Sequence, residues 1–227
     1  MNPALIKVLA PAYAPCVEFR RSCADMRWSP ADGHVPRGFV GATGSLQEVE
    51  LVLVFAEPGD PHDGERHTGL ESTFAYSYFA HGTGKDLFHR NVRKILSLCW
   101  PALTFDEQLR KCWLTESVLC SALKEGGSVP TRASRACGER YLRAQLSLFP
   151  NALIAALGSK AKERLRALHV NEFVSAYAAA PPGCNRSEAL PSWEIIASEL
   201  RRRTNHGAQH GNAGDRQQPA SPPAVDP

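Results

Sequence analysis

The chain has 227 residues, 43% of them hydrophobic and 22% charged, which suits a globular domain with a sizeable core and a further segment attached. Its formal net charge of +3 permits a polyanionic partner without requiring one. No apolar run approaches the roughly 20 residues that cross a bilayer, and the opening MNPALIKVLAPAYAPC, broken by Pro11 and Pro15, makes a poor secretory signal.

A cytoplasmic protein with no membrane partner is therefore expected. The seven cysteines fit a reducing compartment, because an odd number argues against a disulfide scaffold, and none forms a CxxC pair.

Residues 1–45, rich in Pro, Gly and Arg, read as irregular, with a basic patch at Arg20, Arg21, Arg27 and Arg37. Leu51–Phe55 is an unbroken apolar run, the pattern of a strand buried on both faces of a parallel sheet. Ala56-Glu57-Pro58-Gly59-Asp60 ends it, because Pro58 cannot donate to a ladder and Gly59 reaches backbone angles closed to other residues. Glu57 and Asp60 thus stand at the carboxyl edge of a sheet, where open α/β folds place ligands. An ordinary turn carrying solvated acids is the alternative reading.

Pro61–Gly84 reads as a long connecting loop, functional because Phe74, Tyr76, Tyr78 and Phe79 are interleaved in it. His62, His67, His81 and the nearby His89 read as polar surface groups rather than metal ligands. Lys85–Trp100 has helical spacing and stops before Pro101. Cys112–Cys120 is strand-like, and Arg132–Phe149 is an amphipathic helix ending before Pro150. Ala152–Leu157 is a further buried strand closed by Gly158, and Lys160–Leu168 a short helix. Glu172–Ala180 is a last strand, broken by Pro181-Pro182-Gly183, and Ser192–Arg203 the closing helix.

Alternating strands and helices predict an α/β fold over residues 1–203, a three-layer α/β/α sandwich with a mainly parallel four-stranded sheet. From Thr204 to Pro227 the chain holds almost no large apolar residue and reads as a disordered tail.

Five stretches carry a resemblance: FAEPGD (Phe55–Asp60), YFAHGTG (Tyr78–Gly84), WLTESVLC (Trp113–Cys120), CGERYLRAQLSLFPNALIAALGSKAKERL (Cys137–Leu165) and APPGCNR (Ala180–Arg186). Over residues 40–200 their order resembles the uracil-DNA glycosylase superfamily, nearest its iron–sulfur branch. The resemblance implies base flipping, in which an extruded nucleotide is stacked, read at its edge and cut from its sugar by an aligned water.

It makes Glu57 the water-positioning acid and Phe79 the stacking ring. It puts Glu116 at the position of the family's base-reading Asn, with Gly59, Asp60 and Ser117 in substrate contact. Ala180 stands where the family carries a His, which leaves Asn185 as the nearby neutral donor; capping the last helix is its other reading. Arg132, Arg135, Lys160, Lys162 and Arg186 become phosphate contacts to DNA, single- or double-stranded. Cys120 and Cys137 match the branch's later cluster ligands, and Cys16 and Cys23 become the early pair of an iron–sulfur site, with buried free thiols as the alternative.

A monomeric DNA glycosylase acting on a damaged or unusual base is the expectation. A carboxylate at position 116 accepts hydrogen bonds only, unless burial keeps it protonated. The departures at Ala180 and Glu116 keep a second reading open, a catalytically silent nucleic-acid- or partner-binding module. Hydrolysis of a free nucleoside or nucleotide is a third.

Overall fold

The computed structural model describes residues 1–211, with side chains through Asn205. The first half of the chain forms α1 (Pro3–Leu9), β1 (Val40–Gly41), β2 (Leu51–Phe55), α2 (Leu70–Thr83), α3 (Leu87–Cys99) and α4 (Phe105–Lys111). The second half forms β3 (Cys112–Glu116), α5 (Thr131–Cys137), α6 (Arg143–Leu146), β4 (Leu153–Leu157), α7 (Ser159–Ala167), β5 (Val174–Ala176) and α8 (Ala189–Gly211). A π-helical turn, Gly138–Leu142, joins α5 to α6.

β2 is buried along its whole length because it is the centre of the sheet. It pairs in parallel with β3, Leu51 opposite Cys112 and Phe55 opposite Glu116, and with β4, Leu51 opposite Leu153. β5 extends the parallel set beyond β4.

The sheet has five strands in the order β1-β3-β2-β4-β5 rather than the four expected, because β1 adds an antiparallel edge on β3. Two residues are too few to show a period in sequence. The second is Gly41, where a Cβ would sit 2.2 Å from the Cys112 carbonyl oxygen, so only glycine lets that edge pair so closely.

Side chains alternate between the two faces, and helices cover both. On one face Val52, Val54, Trp113 and Ala156 pack with Leu5 and Leu9 of α1, Tyr141 and Leu142 of the π turn, Leu146 of α6 and Leu165 of α7. On the other, Leu51, Leu53, Phe55, Leu114 and Leu157 pack with Val92, Ile95 and Leu96 of α3 and Trp193, Ile196 and Leu200 of α8. Trp113 is fully buried and donates its indole N–H to Gln145 Oε1 at 2.9 Å, so its polar atom enters the core partnered.

Several segments depart from the sequence pattern, among them β3, which ends at Glu116 rather than Cys120. The expected irregular segment 1–45 contains α1, capped by the Asn2 side chain accepting from Ala4 N–H at 3.0 Å, and β1. Most of the expected loop Pro61–Gly84 is α2, whose buried face is Thr73, Ser77, Ala80 and His81 while Phe79 points outward. α8 continues past Arg203 to Gly211, since a helix already formed extends at little cost. The rest of the expected tail, 212–227, lies outside the described residues. Among the described residues no helix is long and apolar enough to cross a membrane.

From β2 the chain passes to β3 on one side and then to β4 on the other side of β2. The loops leaving β2 and β4 therefore diverge, which opens a crevice between their carboxyl ends.

Candidate functional site

A cleft of about 770 Å³ lies at that edge, lined by Phe55–Asp63 after β2, Glu116 at the end of β3, Leu157 of β4 and Ala178–Pro181 after β5. Residues of α2 and α3, with Arg37, Gly38, Glu65, Asp86 and Glu125, form the rest of its wall. The volume is that of a small-molecule or nucleotide site.

Glu57 reaches the cleft from the loop after β2, and it is not free. Lys160 and Arg164, one turn apart on α7, both pair with it, Arg164 Nη1 lying 2.6 Å from Glu57 Oε2. Arg164 Nη1 also donates to the Ala56 carbonyl at 2.6 Å and to Ser117 Oγ at 3.0 Å, and Ser117 Oγ donates to the same carbonyl at 2.6 Å. Lys160 donates further to the Gly127 carbonyl at 2.9 Å. Lys160 thus braces the site instead of standing ready for phosphate, and Ser117 braces Arg164 outside the cleft lining. Arg164 escaped the sequence reading, although its i,i+4 spacing from Lys160 puts both cations on one helix face.

Glu116 is buried in the cleft wall with Oε2 unpartnered. A Cβ at Gly38 would stand 2.5 Å from Glu116 Cγ, so the glycine lets the backbone close over the carboxyl. Burial first, and the Glu57 charge second, push the Glu116 carboxyl well above the usual range. The shift favours its protonated form, which has an O–H to donate.

Asp60 lines the cleft and pairs with Arg27 at 2.8 Å. The Gly59 carbonyl accepts from Ser121 Oγ at 2.8 Å and from the buried Arg37. These contacts fix the Pro-Gly loop that carries Glu57.

Two of the four histidines, His67 and His81, are buried, whereas His62 and His89 are partly exposed. His62, His81 and His89 line the cleft, and His67 is buried beside it. His62 Nε2 lies 3.0 Å from Asp86 Oδ2, and His89 Nδ1 lies 2.8 Å from Asp86 Oδ1. Glu65 faces His67 Nε2 at 2.7 Å and His62 Nδ1 at 3.3 Å. Burial raises both carboxyls, yet hydrogen bonds and charge win: His67, His62 and Arg37 bring Glu65 down to about 2, and His89 and His62 hold Asp86 well below its usual range.

His81 Nδ1 donates to the Ser77 carbonyl at 2.8 Å, which leaves Nε2 as a lone-pair acceptor with no partner. Burial, then the neighbouring His89, depress His81 to about 3, so it is neutral. Apolar periodicity hides this wall, because His62, Glu65 and His67 sit in the loop before α2, His81 on the polar buried face of α2, and Asp86 and His89 at the start of α3.

Other expected site residues stay apart. Phe79 is 55% exposed on α2 and lies outside the cleft lining; the rings that do line it are Phe55, Phe88 and Tyr76. Asn185 and Arg186 are exposed in and just after a short 3-10 turn beyond Pro181, also outside the lining. Arg132 is exposed and engaged with Asp25, Arg135 is exposed on α5, and Lys162 is half-buried on α7.

Behind the end of β3, Cys16, Cys23, Cys120 and Cys137 line one small apolar cavity of about 20 Å³. Leu119 N–H donates to Cys137 Sγ at 3.4 Å and Tyr141 O–H to Cys16 Sγ at 3.2 Å. Burial and then the neighbouring thiols push Cys23 up to about 11 and Cys120 well above its usual value. Four gathered thiols in an apolar shell with N–H···S support are a donor set that fits an iron–sulfur cluster. The cavity has room for about one water, so the thiols would part to admit one. Among the described residues no group of three or more His, Cys, Asp or Glu is placed to hold a metal ion, the four thiols as they stand included.

No family model matches the sequence, and no curated protein matches it.

Proposed function

We propose that the cleft takes up a single extruded base and hydrolyses its N-glycosidic bond, in the manner of a DNA glycosylase on a uracil-DNA-glycosylase-like sandwich. The observation that carries this is a fixed carboxylate, Glu57, and a neutral buried acid, Glu116, on one cleft at the switch point of a parallel sheet. The order β3-β2-β4-β5 of the parallel strands supports it, since it puts Glu57 and the start of α7 on either side of that crevice.

Glu57, held by Lys160 and Arg164, orients a water at the sugar carbon. The water oxygen bonds to that carbon as the C–N bond breaks, the bonding pair leaves with the base, and a water proton ends on the base. Charge growing on the departing base meets the O–H of Glu116, the donor that Ala180 cannot supply. The four thiols, holding a cluster, would tie the segment of Cys16 and Cys23 to β3 and α5. Arg186 and Lys162 remain open to a DNA backbone.

Two observations favour a silent binding module instead. The Glu57 charge is already matched by two cations, and Asn185 lies outside the cleft lining. Base release from single- and double-stranded oligonucleotides carrying uracil, hypoxanthine, xanthine or alkylated bases separates the two. Release that disappears in Glu57→Gln supports the glycosylase; DNA binding with no release from any substrate establishes the module.

A further inference from the structure

The cleft wall has an order that the catalytic reading does not use. Glu116 stands opposite Phe55 in the β2–β3 register. Phe55 meets Phe88 edge to face at 5.0 Å between centroids, and Phe88 meets His81 edge to face at 5.9 Å. All four residues line the cleft. The wall is therefore continuous, apolar in its middle, and ends in two buried polar atoms without partners, Glu116 Oε2 and His81 Nε2.

A buried polar atom left unpaired costs about 1–3 kcal/mol, and two on this wall, apart from the ion-paired Glu57 Oε2, mark the contacts of something that binds there. Their characters differ. The His81 tautomer fixed by the Ser77 carbonyl makes Nε2 an acceptor, and the neutral Glu116 carboxyl donates.

We infer that His81 is a substrate-binding residue that works with Glu116, the two gripping opposite edges of a planar nitrogen heterocycle laid along the Phe55–Phe88 wall. The ligand presents a ring N–H or amino group to His81 Nε2 and a carbonyl or ring nitrogen to Glu116. That is a nucleobase with an unblocked N–H. A heterocycle whose N–H is methylated leaves His81 Nε2 buried and unpaired, and is rejected. The inference rests on the cleft being the base site proposed above, and not on the bond being cut.

The test uses the full chain and equilibrium titration with deoxyuridine, deoxyinosine and deoxyxanthosine, each beside its ring-N-methylated counterpart. The best-bound parent is expected to lose about tenfold or more in affinity on methylation and in His81→Phe. Glu116→Leu loses a similar factor, while Glu116→Gln, which keeps a neutral donor, restores binding to within about threefold. In the unmutated protein labelled with nitrogen-15 in its histidines, binding shifts the His81 Nε2 resonance in the direction of an accepted hydrogen bond. This readout does not depend on any variant folding.

Equal affinity for parent and methylated nucleosides, an unmoved His81 resonance, or no binding of any of them overturns the inference. Binding that follows His81 while no base is ever released from DNA leaves it standing and removes the glycosylase. Base release that is indifferent to His81→Phe does the reverse.

Discussion

Glu57 and Arg164 meet across the gap between β2 and β4, Oε2 and Nη1 2.6 Å apart, at the one place on the sheet edge where the chain turns both ways. Both side chains are largely buried, 8% and 11% exposed, whereas Lys160 on the same carboxylate is 40% exposed. Removing Arg164 takes from a buried carboxylate its buried cation and leaves it only the more exposed Lys160. Arg164→Ala is therefore expected to cost about 3 kcal/mol in urea unfolding, and Lys160→Ala about 1 kcal/mol or less. Adding Glu57→Gln to Arg164→Ala recovers part of the loss, a coupling that a double-mutant cycle measures.

That pair shows where the sequence stops being readable. β2 and β4 were legible because a parallel strand buried on both faces is a plain apolar run, and the acids after β2 followed from Pro58 and Gly59. Lys160 was legible as a cation near a turn, but its partner lies 103 residues away, and no local pattern encodes that contact. α2 was hidden for another reason. It buries Thr73, Ser77 and His81 and exposes Phe79, so its polarity runs opposite to the rule that finds amphipathic helices. The place of His81 in the cleft wall went with it. β1 was too short to carry any period, and β5 keeps only Val174–Ala176 of the expected Glu172–Ala180, because Tyr177 N–H turns to Ser192 Oγ at 3.0 Å.

The neutral state of Glu116 has a consequence for stability. Its native value is raised above the ordinary 4.5, so above that pH the unfolded chain gives up a proton that the native chain keeps. Stability from this group is full below about pH 4.5 and declines as pH rises toward the native value. Glu116→Gln removes the titration but keeps the shape. It is expected to be more stable than the unmutated protein at pH 7–8 and about equal to it near pH 4, as read by urea midpoints across pH. An opposite slope would show that the carboxyl is ionised in the fold.

The four thiols around one cavity predict bound iron and sulfide in protein prepared without oxygen, with both lost in Cys120→Ser and Cys137→Ser. A ligand held only by the native state stabilises it, so chelation is expected to lower the melting temperature of the unmutated protein and not of these variants. Protein free of iron with all four thiols reactive after unfolding would assign them to the buried free-thiol alternative.

His81 makes the fold sensitive to acid. Ser77, His89, Asp86 and Arg93 face it, and burial, ahead of the neighbouring charges, brings its value from the ordinary 6.5 to about 3. Between those values the unfolded chain binds a proton that the native chain refuses, so stability is full above pH 6.5 and falls as pH drops toward 3. The steepest slope one such group gives is about 1.4 kcal/mol per pH unit. Glu65 and Asp86, both depressed, add their own losses only below their ordinary values of 4.5 and 3.8. Comparing the unmutated protein with His81→Phe at each pH cancels those contributions. The difference in unfolding free energy is expected to move in favour of the variant as pH falls from 6.5 to 4.5, and to stay flat above 7. A difference that is flat over the whole range would mean that the imidazole is not buried as a neutral acceptor, and would remove the basis for its contact with a base.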